Sequence, residues 1–128
     1  MNSEASHYIQ LIESVPAIPW ILDWRTKRFT YVGPQVEQLL GWPRESWQTV
    51  DDWVERMHPL DRERIVSLYL VQHQTSADYE SEYTAFTSKG GFVLIRDVVH
   101  IVRNADGDIE SLMGFMIGVR LSKAQTTV

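Results

Sequence analysis

Between residues 79 and 121 apolar and polar positions alternate in three runs, YESEYTAFT, FVLIRDVVHIVR and IESLMGFMIGVRL. They are rich in Val, Ile, Phe, Tyr and Thr, which suit a pleated, half-buried surface. The breaks between them, SKGG and NADGD, carry Gly90-Gly91 and Asp106-Gly107, which supply the positive φ angles of hairpin turns. The pattern predicts a three-stranded antiparallel meander. In its middle strand Phe92, Leu94, Val98 and Val102 fall on one face, and Val93, Ile95, Val99 and Ile101 on the other. In its last strand Leu112 and Met116 oppose Met113, Phe115, Ile117, Val119 and Leu121. Both faces are apolar, so this sheet is expected to be covered on both sides. The chain's own helices would cover one, and a terminal helix or a second subunit the other.

Upstream the periodicity changes. Ala5, Tyr8, Ile9 and Ile12 have helical spacing, and Val15-Pro16 ends that helix. It would serve as a lid within one subunit, as a dimer contact, or as both. AIPWILDW and RFTYVG, joined by the turn Arg25-Thr26-Lys27, predict two further strands, making five. Pro34 at a first helical position and Gly41 past the end bracket the short helix PQVEQLL, and Pro43 opens a turn through PRESW. Thr49 and Asp52 have capping-box spacing ahead of a helix with Trp53, Val54 and Met57 on one side. His58-Pro59 ends that helix, and Asp61 is expected to cap the next, which shows Ile65, Leu68, Tyr69 and Gln72 as one stripe.

Composition narrows the function classes. With 128 residues there is room for one core. A net charge of −5 and no basic run argue against nucleic-acid binding through phosphates. No run approaches the length of a bilayer-spanning helix, and no signal peptide is visible, so a cytoplasmic protein without membrane contact is expected. The absence of cysteine removes disulfides, thiolate catalysis and cysteinyl-flavin photochemistry. The ending LSKAQTTV, just past a strand, leads us to expect a module of a longer protein.

The order of elements predicts an α+β fold, a five-stranded antiparallel sheet with short helices on one face and an N-terminal flanking helix. VGPQVEQLLGW, MHPLDRERI, YESEYTAF followed by KGGF, and ADGDIESLMGF occur in an order and spacing that resemble the Per-Arnt-Sim (PAS) domain family, in its bacterial sensor branch. The chain departs from that family's pattern in two places. Gly118, Val119 and Arg120 stand where an Asp-Ile-Thr ending is common, and Thr84 stands where Arg is common. The resemblance implies a sensory or dimerisation module of a bacterial signal-transduction protein, regulating a covalently attached output domain such as a diguanylate cyclase or histidine kinase. It divides the chain into a flanking helix at 1–15, a sensory domain at 16–121 and the start of a linker at 122–128. It also implies a pocket for a small molecule beneath the short helices, for which Trp20, Tyr31, Trp53, Met57, Leu68, Tyr83, Leu94 and Met116 are the candidate lining residues. A homodimer through Tyr8, Ile9, Ile12, Phe115 and Ile117 is expected.

No catalytic or metal site emerges. His58 and Asp61 read as a helix start rather than an acid–base pair. His73 could ligate heme from the long helix, as in some PAS sensors, but its polar QHQT setting argues against it. His100 could face the pocket, although a satisfied core or interface histidine explains it as well. Glu80 and Glu82 read as a solvated or salt-bridged strand face. Trp20, Trp24, Trp42, Trp47 and Trp53 crowd the first half of the chain and either bind a planar ligand or fill the pocket. The alternatives are a heme-binding PAS sensor and a small stand-alone α+β enzyme with an Asp or His base in its pocket, the latter marked by a strongly shifted pKa in an open cavity.

Overall fold

The computed structural model describes residues 3–72 and 78–119. His73, Leu121 and the expected linker at 122–128 lie outside the described residues. Helix α1 (Ser3–Ser14) is followed by strands β1 (Ile18–Asp23) and β2 (Arg28–Val32). Helix α2 (Gln35–Leu39), a 3₁₀ turn at Arg44–Ser46, and helices α3 (Val50–Glu55) and α4 (Pro59–Gln72) come next. The meander β3 (Tyr79–Phe86), β4 (Phe92–Arg103) and β5 (Ile109–Gly118) completes the described chain. No helix among the described residues is long and apolar enough to cross a membrane.

The strands form one antiparallel sheet in the order β2-β1-β5-β4-β3. Closing the two hairpins onto each other places β1 beside β5, so the first and last strands lie at the centre. Gly90 and Gly107 take the positive φ that the two meander turns require, both at 86°. In the meander Tyr83 sits opposite Ile95, and Asp97 opposite Met116. Ile95, Asp97, Val99 and Ile101 therefore share the inner face with Leu112 and Met116, and all six are buried. Val36, Leu40, Trp47, Met57, Ile65 and Tyr69 from the intervening segment complete this core.

Both sheet edges are occupied, which removes the unpaired strands that would otherwise invite pairing with another chain. Along β2, the Phe29 N–H donates to Gln48 O and the Val50 N–H to Lys27 O. Along β3, the His58 N–H donates to Thr84 O, the Phe86 N–H to Arg56 O, and the Thr84 N–H to the Asp61 carboxylate at 2.8 Å. Asp61 thus differs from its expected role. Helix α4 begins at Pro59, the His58 imidazole Nδ1 accepts the Leu60 N–H at 3.1 Å, and Asp61 staples the first turn to β3. Pro34 likewise occupies the N-cap position of α2, one residue earlier than expected. The Thr49–Asp52 capping box forms as the spacing predicts, with Asp52 Oδ2 accepting the Thr49 N–H at 2.9 Å.

Candidate ligand pocket

Helices α3 and α4 stand off the inner sheet face around a cavity of about 30 Å³, room for on the order of two water molecules. Trp20, Leu22 and Phe29 line it from the first hairpin, and Val50 and Trp53 from α3. Ile65, Leu68 and Tyr69 close it from α4, and Tyr79, Ser81, Asp97, Val99, Leu112 and Met116 from the meander. The wall is almost wholly apolar. Trp53 sets its ring edge-on to both Tyr69 and Tyr83, at centroid separations of 5.8 and 5.9 Å, a favoured aromatic geometry.

One charged group stands in this wall. Asp97 is 4% exposed. Its Oδ1 accepts the Trp20 indole N–H at 3.0 Å and its Oδ2 the Tyr83 hydroxyl at 2.9 Å. The Trp53 indole N–H donates to Tyr83 Oη at 2.9 Å, which commits the tyrosine proton to Asp97. The network is therefore directional and ends on the carboxylate. Burial pushes the Asp97 pKa up to about 7, against the two hydrogen bonds that favour the charged form. Burial raises Tyr69 to about 12 and pushes Tyr79 and Tyr83 up as well, the Asp97 charge adding to the last two.

Of the residues expected to line the pocket, the structure brings Trp20, Trp53, Leu68 and Met116 to the cavity wall. Tyr83 is buried behind it, holding Asp97. Met57 is buried in the core, bridged to Ala85 of β3, and does not reach the cavity. Tyr31 and Leu94 belong to the opposite face. Ordinary alternation would place Tyr31 beside Phe29, but a bulge between Ile21 and Leu22 pairs Tyr31 with Ile21, while Phe29 stays opposite Leu22. The Tyr31 hydroxyl instead donates to Glu13 of α1 at 2.5 Å. Leu94 sits one residue from Ile95, and the meander register puts it outward beside Thr84.

Asp97 was missed because Arg96-Asp97 reads as a charged pair in mid-strand. Its two-residue spacing from Ile95 and Val99 was the available signal: a carboxylate on a face otherwise reserved for the core. Tyr69 was visible only as part of an apolar helix stripe. His100 points outward, where its Nδ1 lies 2.7 Å from the Asp78 carboxylate. Glu82 pairs with Arg96 at 3.0 Å across the same outer face. Trp42 and Trp47 flank the Arg56 guanidinium, 4.3 and 4.6 Å from their ring centroids, beyond the cavity. Among the described residues no group of three or more His, Asp or Glu could hold a metal ion.

The outer face carries the remaining expectations. Phe115 and Ile117 lie there half-buried, and Met113 is 40% exposed. On α1, Tyr8 is 58% and Leu11 64% exposed, and Ile9 and Ile12 are exposed as well. The helix is fastened at its C-terminal end. Gln35 Nε2 donates to the Ile12 and Val15 carbonyls, Arg44 pairs with Glu13, and Tyr31 reaches the same carboxylate.

The profile of the PAS fold family matches residues 29–116. The chain belongs to the PAS family. Among solved structures, the N-terminal domain of a diguanylate cyclase with a PAS/PAC sensor from Marinobacter aquaeolei is 49% identical, with a TM-score of 0.77 over 80% of this chain and 94% of that one. A PAS domain from Colwellia psychrerythraea superposes with a TM-score of 0.75 at 13% identity, covering 91% of this chain and 98% of that one. A sensory box histidine kinase/response regulator from Burkholderia thailandensis superposes at 0.70 with 20% identity, over 88% and 84%. No curated protein matches in sequence. The PAS fold is a sensory scaffold, and in this PAS domain the face beneath α3 and α4 carries the cavity.

Proposed function

We propose that this PAS domain is the sensory module of a bacterial signalling protein, in which occupancy of the Asp97 cavity regulates a covalently attached output enzyme. The observation that carries the reading is the placement of a buried carboxylate in a lined cavity whose walls come from both the sheet and the roof formed by α3 and α4. A ligand bound there differently in two arrangements of roof and sheet shifts their populations. The Marinobacter relative is the N-terminal domain of a diguanylate cyclase, which supports such a cyclase as the output here. A histidine kinase is the second choice.

The exposed apolar residues of α1, together with Phe115 and Ile117 on the outer face, support a homodimer whose geometry the output domain reads. The small stand-alone enzyme finds less support. Asp97 does have the raised pKa that reading requires, but its oxygens are engaged by Trp20 and Tyr83, and about 30 Å³ leaves no room for a substrate beside a base.

The test uses the full-length protein. Ser81→Leu and Val99→Phe, which narrow the cavity, should change cyclic dinucleotide formation from GTP by severalfold. Output indifferent both to these changes and to removal of residues 16–119 would overturn the reading. Light scattering should show a dimer that loses mass when residues 1–15 are removed, and an unchanged mass would count against α1 as the contact.

A further inference from the structure

Two polar groups in the cavity hold more bonding capacity than the protein uses. Each Asp97 oxygen accepts one donor, whereas a carboxylate offers about four acceptor sites. Among the described residues no Lys, Arg or His forms an ion pair with it. Tyr69, 6% exposed, lines the same cavity from α4, and its hydroxyl oxygen is buried with no hydrogen-bond partner among the described residues. Trp20, Phe29, Trp53 and Tyr79 contribute aromatic rings to the same wall, among aliphatic side chains.

The chemistry of the missing partner follows from these groups. The donors Trp53, Tyr83 and Trp20 all lead toward Asp97, so the network favours an anion, and a buried anion without a counter-charge is costly. An anionic ligand would be repelled. A neutral one would leave the charge uncompensated. A cation would neutralise Asp97, and the negative faces of aromatic rings attract cations as well. Tyr69 Oη accepts as readily as it donates, so N–H groups can satisfy both oxygens at once. The volume limits the ion to about two or three heavy atoms.

We propose that the cavity is a site for a compact alkylammonium ion, whose N–H groups bridge Asp97 and Tyr69 while its methyl groups lie against the aromatic wall. This rests on the reading of the cavity as the sensory site and names its ligand class. Because Asp97 belongs to β4 and Tyr69 to α4, the bound ion ties the roof to the sheet. The titratable groups facing Asp97 are Tyr69 from α4 and Tyr79 and Tyr83 from β3, all with raised pKa values, while β1 and α3 contribute tryptophans. Binding therefore tightens as pH rises through the Asp97 titration near 7 and weakens in acid.

The experiment is calorimetric titration of the full-length protein with methylammonium and dimethylammonium chlorides near pH 8, at ionic strength held constant with NaCl; trimethylammonium, whose single N–H cannot bridge the two groups, should bind more weakly. Ethanol, with the same number of heavy atoms as dimethylammonium, serves as the uncharged comparison, and tryptophan fluorescence as the second readout. One site per chain is expected for at least one of the two ions, about thirtyfold weaker near pH 5.5, where little Asp97 is ionised, and about tenfold weaker in Asp97→Asn and Tyr69→Phe. Tyr69→Phe removes a single oxygen, so it carries the test alone if Asp97→Asn fails to fold. The proposal is overturned by no saturable binding up to about 50 mM, by ethanol binding as well as the ions, or by affinity indifferent to both substitutions. If it fails while Ser81→Leu still alters the output, the ligand class is wrong and the sensory reading stands.

Discussion

The Trp20 indole N–H donates to Asp97 Oδ1 at 3.0 Å, joining residues 77 apart in sequence and two strands, β1 and β4, that are not neighbours in the sheet. Between them runs β5, where Gly114 is paired with both Trp20 and Val99. A Cβ at Gly114 would lie 1.7 Å from the Val98 carbonyl oxygen. A bare backbone in the central strand is what the close approach to β4 demands.

Gly114→Ala is expected to destabilise the domain by at least about 2 kcal/mol, since the obstacle is backbone and cannot swing aside. Urea unfolding followed by tryptophan fluorescence measures it. A loss under about 0.5 kcal/mol would show that β4 and β5 separate there without strain.

Asp97 makes stability depend on pH with an unusual sign. Its carboxyl titrates near 7 in the fold and near the ordinary value of 3.8 when unfolded. Between the two the folded chain keeps a proton that the unfolded chain has lost. The contribution is thus complete below the lower value and is lost as pH rises through about 7, by up to about 4 kcal/mol. Asp23, Asp52, Asp61 and Asp78, whose pKa values are lowered, act in the opposite sense. The difference in unfolding free energy between the wild type and Asp97→Asn isolates this group. It should move steadily in favour of the variant from about pH 4 to pH 7, and a flat difference would contradict the assignment.

Asp61→Asn should loosen the join between α4 and β3, because the variant offers the Thr84 N–H only a neutral acceptor in place of a charged one. A loss of about 1 kcal/mol is expected at neutral pH, shrinking in acid as the wild-type carboxyl is protonated. Hydrogen exchange at the Thr84 amide should quicken with it. Unaltered exchange would mean that the carboxylate does not hold the edge.

Gln35→Leu should free α1 without unfolding the sheet, since it removes the donors to the Ile12 and Val15 carbonyls that fasten the helix end. Limited proteolysis should then cut within residues 1–15 faster than in the wild type, with the unfolding midpoint of the sheet little changed. Equal cleavage rates would place the fastening in Glu13 with Tyr31 and Arg44 instead.

The amino-acid pattern by itself determined the five strands, the two glycine-bearing meander turns, the Thr49–Asp52 cap and the apolar character of the inner sheet face. These are local properties, set by side-chain alternation and by the φ angles that particular residues allow. Four of the residues expected at the cavity were legible for the same reason, because alternation carries Trp20 and Met116, and helical spacing Leu68 and Trp53, to a single face. Only the tertiary structure decided the rest. The bulge that turns Tyr31 outward depends on how β2 meets β1, and the outward placement of Leu94 depends on a register fixed by pairing. The isolation of Asp97 was illegible in the sequence because it is a property of what surrounds the carboxylate: one donor from the neighbouring β3 and one from β1 two strands away, a tyrosine from α4, and no cation paired with it among the described residues. Burial and encirclement are collective, and no stretch of chain specifies them alone.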